Sequence, residues 1–273
     1  MVPAVPVDSG GAALRSAERH AASLPMLSLI LPAYNEAHRL PASLAGCAEY
    51  FRSRRSAAEI IVADDGSRDE TAAAVTLAIA SLPPGSPSVR RLPLAHRGKG
   101  GAVREGVRAA TGDPIVVLDA DLTIPVDLVG ALLAALDTGA DIAVASRYVP
   151  GSIVERPWWR RIIGATYRLA VRAIVPTGVA DTQCGGKAYT AAAARDLFAR
   201  QRLDGFAFDA EVLFLARRSG HRVTEVPFVL RQQKATSINF HRDAPRMFHD
   251  LLLIRWNGFR GRYDRASPPE AGG

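Results

Sequence analysis

The chain has 273 residues, room for one large or two small domains with a substantial core, which excludes a peptide hormone or a disulfide scaffold. Hydrophobic residues make up 48% and charged residues 22%, a balance typical of soluble globular chains rather than disordered or membrane-embedded ones. With 34 Lys and Arg against 27 Asp and Glu, the formal charge of +7 favours anionic partners: nucleotides, nucleic acid, lipid phosphates or an acidic membrane face.

Met1 to Leu24 carries Pro3, Pro6, Gly10 and Gly11 and then Arg15, Glu18 and Arg19, so it reads as a frayed tail and not as a signal peptide. Leu27 to Pro32 is a short apolar run, followed after Asn35 by Leu40, Leu44, Cys47, Ala48 and Phe51 at helical spacing. The same strand, loop and helix order recurs at Glu59–Ala63, Asp64–Ser67 and Asp69–Ala80. A Pro/Ser/Gly stretch then leads to a short strand near Val89–Leu92, a helix Gly98–Ala110 and a third apolar run, Pro114–Leu118, which ends on Asp119. Apolar strands alternating with helices predict an open, mostly parallel α/β sheet covered on both faces, with ligands at the carboxyl ends of the strands.

Beyond this point the pattern predicts a strand Asp141–Ser146, an Arg-rich helix Trp158–Val175, a loop Asp181–Lys187 and a helix Ala191–Arg200. After these come the segment Phe206–Ser219, a strand Arg222–Val226 and a terminal helix Ala244–Trp256, before a Pro/Gly/Ala-rich end at Ser267–Gly273. The expected organisation is one domain over 25–260, with a donor half at 25–125 and an acceptor half at 126–260, between tails at 1–24 and 261–273. Leu128–Leu136 and Leu169–Val175 fall short of the ~18–20 apolar residues that span a bilayer. Cys47 and Cys184 stand in no metal-ligand spacing, which points to a reduced compartment.

Asp119-Ala120-Asp121 is the most informative element, because two carboxylates on the end of a buried strand can share a hard divalent cation, Mg²⁺ or Mn²⁺, that also holds a diphosphate. Taken alone, such a pair also suits a turn or a cap, as does Asp64-Asp65-Gly66-Ser67. The context of four apolar residues before the pair favours the functional reading.

In order along the chain, Pro32-Ala33-Tyr34-Asn35-Glu36, Asp64-Asp65-Gly66-Ser67, Arg97-Gly98-Lys99-Gly100-Gly101-Ala102 and Asp119-Ala120-Asp121 resemble the signature of family 2 glycosyltransferases of the GT-A fold. Ser146-Arg147, Asp181–Gly185, Leu203–Phe206 with Phe208–Glu211, and Glu225-Val226-Pro227 narrow the resemblance to the dolichyl-phosphate glucosyltransferase branch, with the mannosyltransferases close behind. The resemblance covers Leu27 to Trp256. It implies an inverting enzyme that moves a hexose, glucose from UDP-glucose first, onto a polyprenyl phosphate, with GDP-mannose as donor or a hydroxyl acceptor as alternatives. It places the nucleotide against Pro32, Ala33, Tyr34, Glu36, Asp64, Asp65 and Ala120, and the diphosphate near Lys99. Asp119, Asp121 and Thr123 become the metal-site positions, Thr123 standing where the mannosyl branch carries Gln. Arg147 and Arg160, with Arg161 beside the latter, match the arginines that hold the acceptor phosphate, although Gly164 stands where the family has Ser. Gly186 replaces a Phe, which is expected to remove an aromatic wall near the sugar or acceptor pocket.

A lipid monophosphate is already an anion near neutral pH and needs no base, whereas a hydroxyl acceptor does, with Asp209 or Glu211 as the candidates. For both acids a helix-start role is the competing reading. The arginines from Arg156 to Arg172 form either a solvated face or, beside Trp158 and Trp159, a helix for an anionic membrane surface. The expected location is cytoplasmic, with a peripheral foothold on the cytoplasmic face of a membrane as the further option. Nucleic acid is not an expected partner, since the positive charge is interleaved with acids and no recognised motif is present. A nucleotidyltransferase shares the paired carboxylates but would release pyrophosphate instead of UDP.

Overall fold

Seven strands form the main sheet of the computed structural model, which describes residues 26–155, 157–230 and 240–264, the side chains of Arg160 and of residues 240–244 excepted. The predicted tails at Met1–Leu24 and Ser267–Gly273, and Arg156, lie outside the described residues. The strands are β1 Leu27–Ala33, β2 Ala58–Asp64, β3 Ser88–Pro93, β4 Ile115–Val117, β5 Ile142–Ser146, β7 Lys187–Tyr189 and β8 Val223–Pro227. β6 Ile153–Val154 and β9 Val229–Leu230 pair separately. The main order is β3-β2-β1-β4-β7-β5-β8, parallel throughout except for β7, which runs antiparallel between β4 and β5. β1, β2, β4 and β5 are buried along their whole length, as continuous apolar runs require when both faces are covered.

The helices are α1 Leu40–Ser53, α2 Thr71–Ala80, α3 Lys99–Ala109, α4 Leu128–Asp137, α5 Trp158–Ile174, α6 Ala191–Arg200, α7 Phe208–Arg218 and α8 Phe240–Phe259. On one face of the sheet, Leu40, Leu44 and Phe51 of α1 and Val129 and Leu132 of α4 pack onto Leu29, Leu31 and Val116. On the other, Val103 and Val107 of α3, Leu197 and Phe198 of α6 and Leu213 of α7 pack onto Ile30, Ile61 and Val144. This two-layered core is the GT-A arrangement anticipated from the sequence.

Three differences from the sequence-based expectation matter. β7 lies inside the segment read as a loop and its sequel, and it brings Gly185 and Lys187 to the carboxyl end of β4. The last helix begins at Phe240 and not Ala244, running through Pro245. Tyr263, past the expected boundary at 260, is buried and donates its hydroxyl to Glu211 Oε1 at 2.6 Å, so the packed body continues beyond α8.

Candidate active site

The carboxyl ends of β1 and β2 carry an aromatic and a carboxylate shelf. Pro32 and Ala33 are buried in β1, and the chain then turns outward at Tyr34 and Asn35, whose φ of 54° lies in the left-handed region that Asn tolerates better than most residues. Asn35 Oδ1 accepts from Arg68 N at 2.9 Å, Asn35 N donates to Ser67 Oγ at 3.0 Å and Glu36 N to Thr71 Oγ1 at 2.9 Å, lacing the two loops together. Tyr34 stacks on His96 with ring centroids 4.2 Å apart and planes 23° apart. A half-exposed stacked pair at a strand end is a platform for a planar base.

Asp64 is buried, which by itself raises its pKa, but Ser67 N at 3.0 Å and Arg91 Nε at 2.8 Å outweigh burial and hold the carboxyl below its ordinary range. Asp65 is used differently from the sequence-based expectation. Its two oxygens accept from Arg97 N at 2.8 Å and Gly98 N at 2.9 Å, and Oδ2 also lies 2.8 Å from His96 Nδ1. Asp65 therefore fixes the 96–98 loop, and with it His96 and Lys99, instead of offering its oxygens to a nucleotide.

That loop opens α3 with little space to spare. Gly98 has φ 125°, and a Cβ there would meet Asp204 O at 2.5 Å. Gly100 N and Gly101 N both donate to Asp204 O, at 2.8 and 3.2 Å, while Arg104 reaches Asp204 Oδ1 at 2.7 Å.

Asp119 and Asp121 follow β4, separated by buried Ala120, whose side chain packs into the core and leaves only backbone for a ligand. Lys99 Nζ lies 2.6 Å from Asp119 Oδ1. Burial raises the Asp119 pKa, but Lys99, Lys187 and Arg147 outweigh it and keep the carboxylate ionised; in return, Asp119 and Asp209 hold Lys99 above its usual value despite burial. Asp121 Oδ1 accepts from Thr123 N at 2.9 Å, and its Oδ2 lies 3.7 Å from Arg39 Nη1. Arg39 also ion-pairs Glu36 at 2.8 Å; burial pushes Glu36 up, partly offset by Arg39. Thr123 thus orients Asp121 through its backbone.

The donor set suits Mg²⁺ or Mn²⁺. Both carboxylates offer hard oxygens on a rigid edge, and the backbone at Gly185 crosses so near that a Cβ would sit 2.0 Å from Asp119 Oδ2, so glycine keeps that oxygen accessible. Among the described residues no group of three or more His, Cys, Asp or Glu side chains could hold a metal. A pair suffices where phosphate and water complete the shell.

Arg147 follows β5 as expected, but Asp181 already grips it: Nε donates to Oδ2 at 2.6 Å and Nη2 to Oδ1 at 2.7 Å. Asp181 is buried, which raises its pKa, yet Arg147 outweighs this and holds it low. Glu225 steadies the turn by accepting from Ala180 N and Asp181 N at 2.9 and 3.2 Å. Arg161 is exposed on α5, and the side chain of Arg160 lies outside the described residues.

Neither expected base stands free. Asp209 is buried with Lys187, whose Nζ lies 2.6 Å from Asp209 Oδ1 and 2.6 Å from Cys184 O. Glu211 accepts from Arg202 N, Leu203 N and Tyr263 and braces the loop before α7. Gly186 corrects a further expectation: a Cβ there would meet Ile124, Ala145 and Leu118 at 3.2–3.5 Å, so the position faces the core and is not a missing pocket wall. The sequence reading missed His96, Arg39 and Lys187, because the partners that bring them to the site, Asp65, Asp121 and Asp209, are distant in sequence and leave no spacing signal.

A strand-end carboxylate pair, a stacking shelf and a ring of cations define a nucleotide-sugar-using α/β enzyme of GT-A type. The family model described as "Glycosyl transferase family 2" matches residues 28–198, and the chain belongs to that family; it is a glycosyltransferase. The chain is 31% identical to a dolichyl-phosphate beta-glucosyltransferase of Dictyostelium discoideum, over 86% of this chain and 75% of that one. It is 34% identical to the Drosophila melanogaster protein of the same description (84% and 74%) and 31% identical to that of Homo sapiens (87% and 77%). The dolichyl-phosphate glucosyltransferase branch is therefore the one it resembles. Its fold also matches glucosyl-3-phosphoglycerate synthase from Mycobacterium tuberculosis, crystallised with Mn²⁺, UDP and glucosyl-3-phosphoglycerate, at TM-score 0.62 and 19% identity, over 100% of this chain and 88% of that one.

Proposed function

We propose that the protein transfers glucose from UDP-glucose to a polyprenyl phosphate, giving a β-linked lipid phosphosugar, in one GT-A domain with a donor half and an acceptor half. The observation that carries the choice of acceptor is that Asp209 and Glu211 are both committed, to Lys187 and to Tyr263. A hydroxyl acceptor needs a base of this kind, whereas a phosphomonoester, with a second pKa of about 6, arrives ionised.

The uracil ring stacks on Tyr34 and His96, and Asp64, already ionised, has lone pairs left for ribose or base. Lys99 turns from Asp119 to the donor diphosphate, an exchange of one anion for another on the same cation. Asp119 and Asp121 would hold a divalent cation, which when bound supplies charge neutralisation for the departing diphosphate. Asp181 aligns Arg147, whose remaining Nη1 addresses the acceptor phosphate. One acceptor oxygen forms a bond to the anomeric carbon as the bond from that carbon to the UDP oxygen breaks, and the electron pair leaves with UDP. Backside attack on an α-linked donor gives the β product.

The test is incubation of the protein with labelled UDP-glucose and a short polyprenyl phosphate in detergent, with the product's anomeric configuration read by NMR. A β-linked glucosyl phosphate lipid supports the reading. Transfer to the corresponding alcohol alone, or turnover of GDP-mannose in preference to UDP-glucose, overturns it.

A further inference from the structure

Arg39 stands where helix chemistry does not call for it. It is the residue before the first turn of α1, the place usually taken by Ser, Thr, Asp or Asn, and its side chain makes no bond to the open amides of the helix. A cation there also lies at the positive end of the helix dipole, and the first turn holds no acid to offset it. What holds this side chain lies outside the helix.

Arg39 N and Leu40 N both donate to Glu36 O at 3.0 Å, a tight turn that folds Arg39 back over Glu36. Arg39 Nε lies 2.8 Å from Glu36 Oε2, and Nη2 donates to Glu36 Oε1 at 3.1 Å. With these two nitrogens engaged, Nη1 lies 3.7 Å from Asp121 Oδ2, the spacing of an ion pair and not of a hydrogen bond. Thr123 N holds the other oxygen of Asp121 at 2.9 Å. On the companion carboxylate, Lys99 Nζ lies 2.6 Å from Asp119 Oδ1. Each acid of the pair thus faces an internal cation before any ligand enters.

We propose that Arg39 is a built-in counter-ion, a positioning residue that holds Asp121 against a free divalent cation and gives way when the cation comes with a nucleoside diphosphate. A bare dication arriving at the matched pair brings uncompensated charge to within a few ångströms of Arg39 and Lys99. A diphosphate supplies the missing negative charge and draws Lys99 off Asp119, which lowers the repulsion. The proposal rests on the reading that Asp119 and Asp121 hold the cation, and deepens it by naming the residue that keeps the site shut to metal alone. At 4 Å two unit charges in a water-like medium are worth about a factor of five, and a dication about doubles the exponent; the partly exposed guanidinium relieves part of this by swinging aside, so the effect of Arg39 is roughly tenfold.

The experiment is a Mn²⁺ titration of the full chain followed by electron paramagnetic resonance of the free ion, with and without saturating UDP. Wild type is expected to bind Mn²⁺ weakly alone and at least ~tenfold more tightly with UDP. Arg39→Met and Arg39→Gln, which remove the charge, are expected to tighten binding of Mn²⁺ alone roughly tenfold and to change it by less than about threefold with UDP. Arg39→Lys keeps the charge and stays near wild type in both. Arg52→Met removes the same charge from the far end of α1, where Arg52 pairs with Glu49 at 2.6 Å, and changes neither. Linkage requires the effect of Mn²⁺ on UDP affinity, read by calorimetry, to fall in Arg39→Met by the same factor as the effect of UDP on Mn²⁺. Circular dichroism confirms that each variant is folded. A merely structural tie between Arg39 and Glu36 lowers the unfolding midpoint without tightening Mn²⁺. Unchanged or weaker binding of Mn²⁺ alone in both chargeless variants, or equal tightening by Arg39→Lys or Arg52→Met, overturns the proposal and leaves the metal reading intact. Absence of Mn²⁺ binding in every variant, even with UDP, overturns both.

Discussion

Replacing Lys187 by Met leaves Asp209 as a buried charge without its partner. The two side chains are 3 and 7% exposed, and Lys187 Nζ has two contacts of 2.6 Å, one to Asp209 and one to Cys184 O. Removing one member of a buried pair costs about 3–5 kcal/mol, because the remaining charge has lost both water and counter-ion. Asp209→Leu alone is expected to cost a similar amount. The double variant, which removes both charges, is expected to recover roughly 2–3 kcal/mol relative to the sum of the singles. Urea denaturation followed by circular dichroism at pH 7 measures all three, with an unchanged m-value as the check that the transition is the same. Single variants that each cost under about 1 kcal/mol, or strictly additive costs, would refute mutual neutralisation as the reason these groups are buried. The same cycle bears on chemistry: loss of a general base lowers kcat by roughly 10²–10⁴, so a double variant that turns over polyprenyl phosphate within about tenfold of wild type places Asp209 in the scaffold.

Four further outcomes are expected. Asp119→Ala and Asp121→Ala each lower kcat/KM by orders of magnitude while the fold persists, and full activity of either variant in EDTA would remove the metal from the reaction. Gly185→Ala pushes a methyl group to 2.0 Å from Asp119 Oδ2, so Mn²⁺ binding measured by electron paramagnetic resonance should fall at least tenfold, with a stability loss of about 1–3 kcal/mol. Tyr34→Ala removes half the stacking shelf and should weaken UDP binding in calorimetry by about 1–3 kcal/mol. Asp181 is held low in the folded protein by Arg147 against the effect of burial, so its contribution to stability is present above the unfolded value of 3.8 and is lost as pH falls through the folded value. In Arg147→Met the acid-unfolding midpoint, followed by circular dichroism, should therefore move to higher pH.

The strands legible in the sequence are those whose burial on both faces demands an uninterrupted apolar run: Leu29-Ile30-Leu31, Ile60-Ile61-Val62 and Ile115-Val116-Val117 announce themselves. β7 does not, because Lys187-Ala188-Tyr189 becomes a strand through its two antiparallel neighbours and through the counter-charge of Asp209, neither of which is local. The site divides the same way. Asp119, Asp121 and Lys99 sit in motifs whose residue types state their chemistry, while the roles of His96, Arg39 and Lys187 exist only where loops from different strands meet. Asp65 and Asp209 were legible as acids, but not which partners would occupy them. Gly186 shows the opposite limit: a residue change read as altering a pocket turns out, once its neighbours Leu118, Ile124 and Ala145 are known, to concern packing.

Asp204 O plugs the first turn of α3 by accepting from Gly100 N and Gly101 N. Helix N-termini in nucleotide-binding folds commonly cradle phosphate with these amides, but here they are sealed by the chain's own backbone, which in the proposed reading leaves the donor diphosphate to the Lys99 side chain. The turn at 203–208 leads into α7 and Asp209, so one carbonyl ties the start of the helix that carries Lys99 to the start of the helix that carries Asp209, the partner of Lys187.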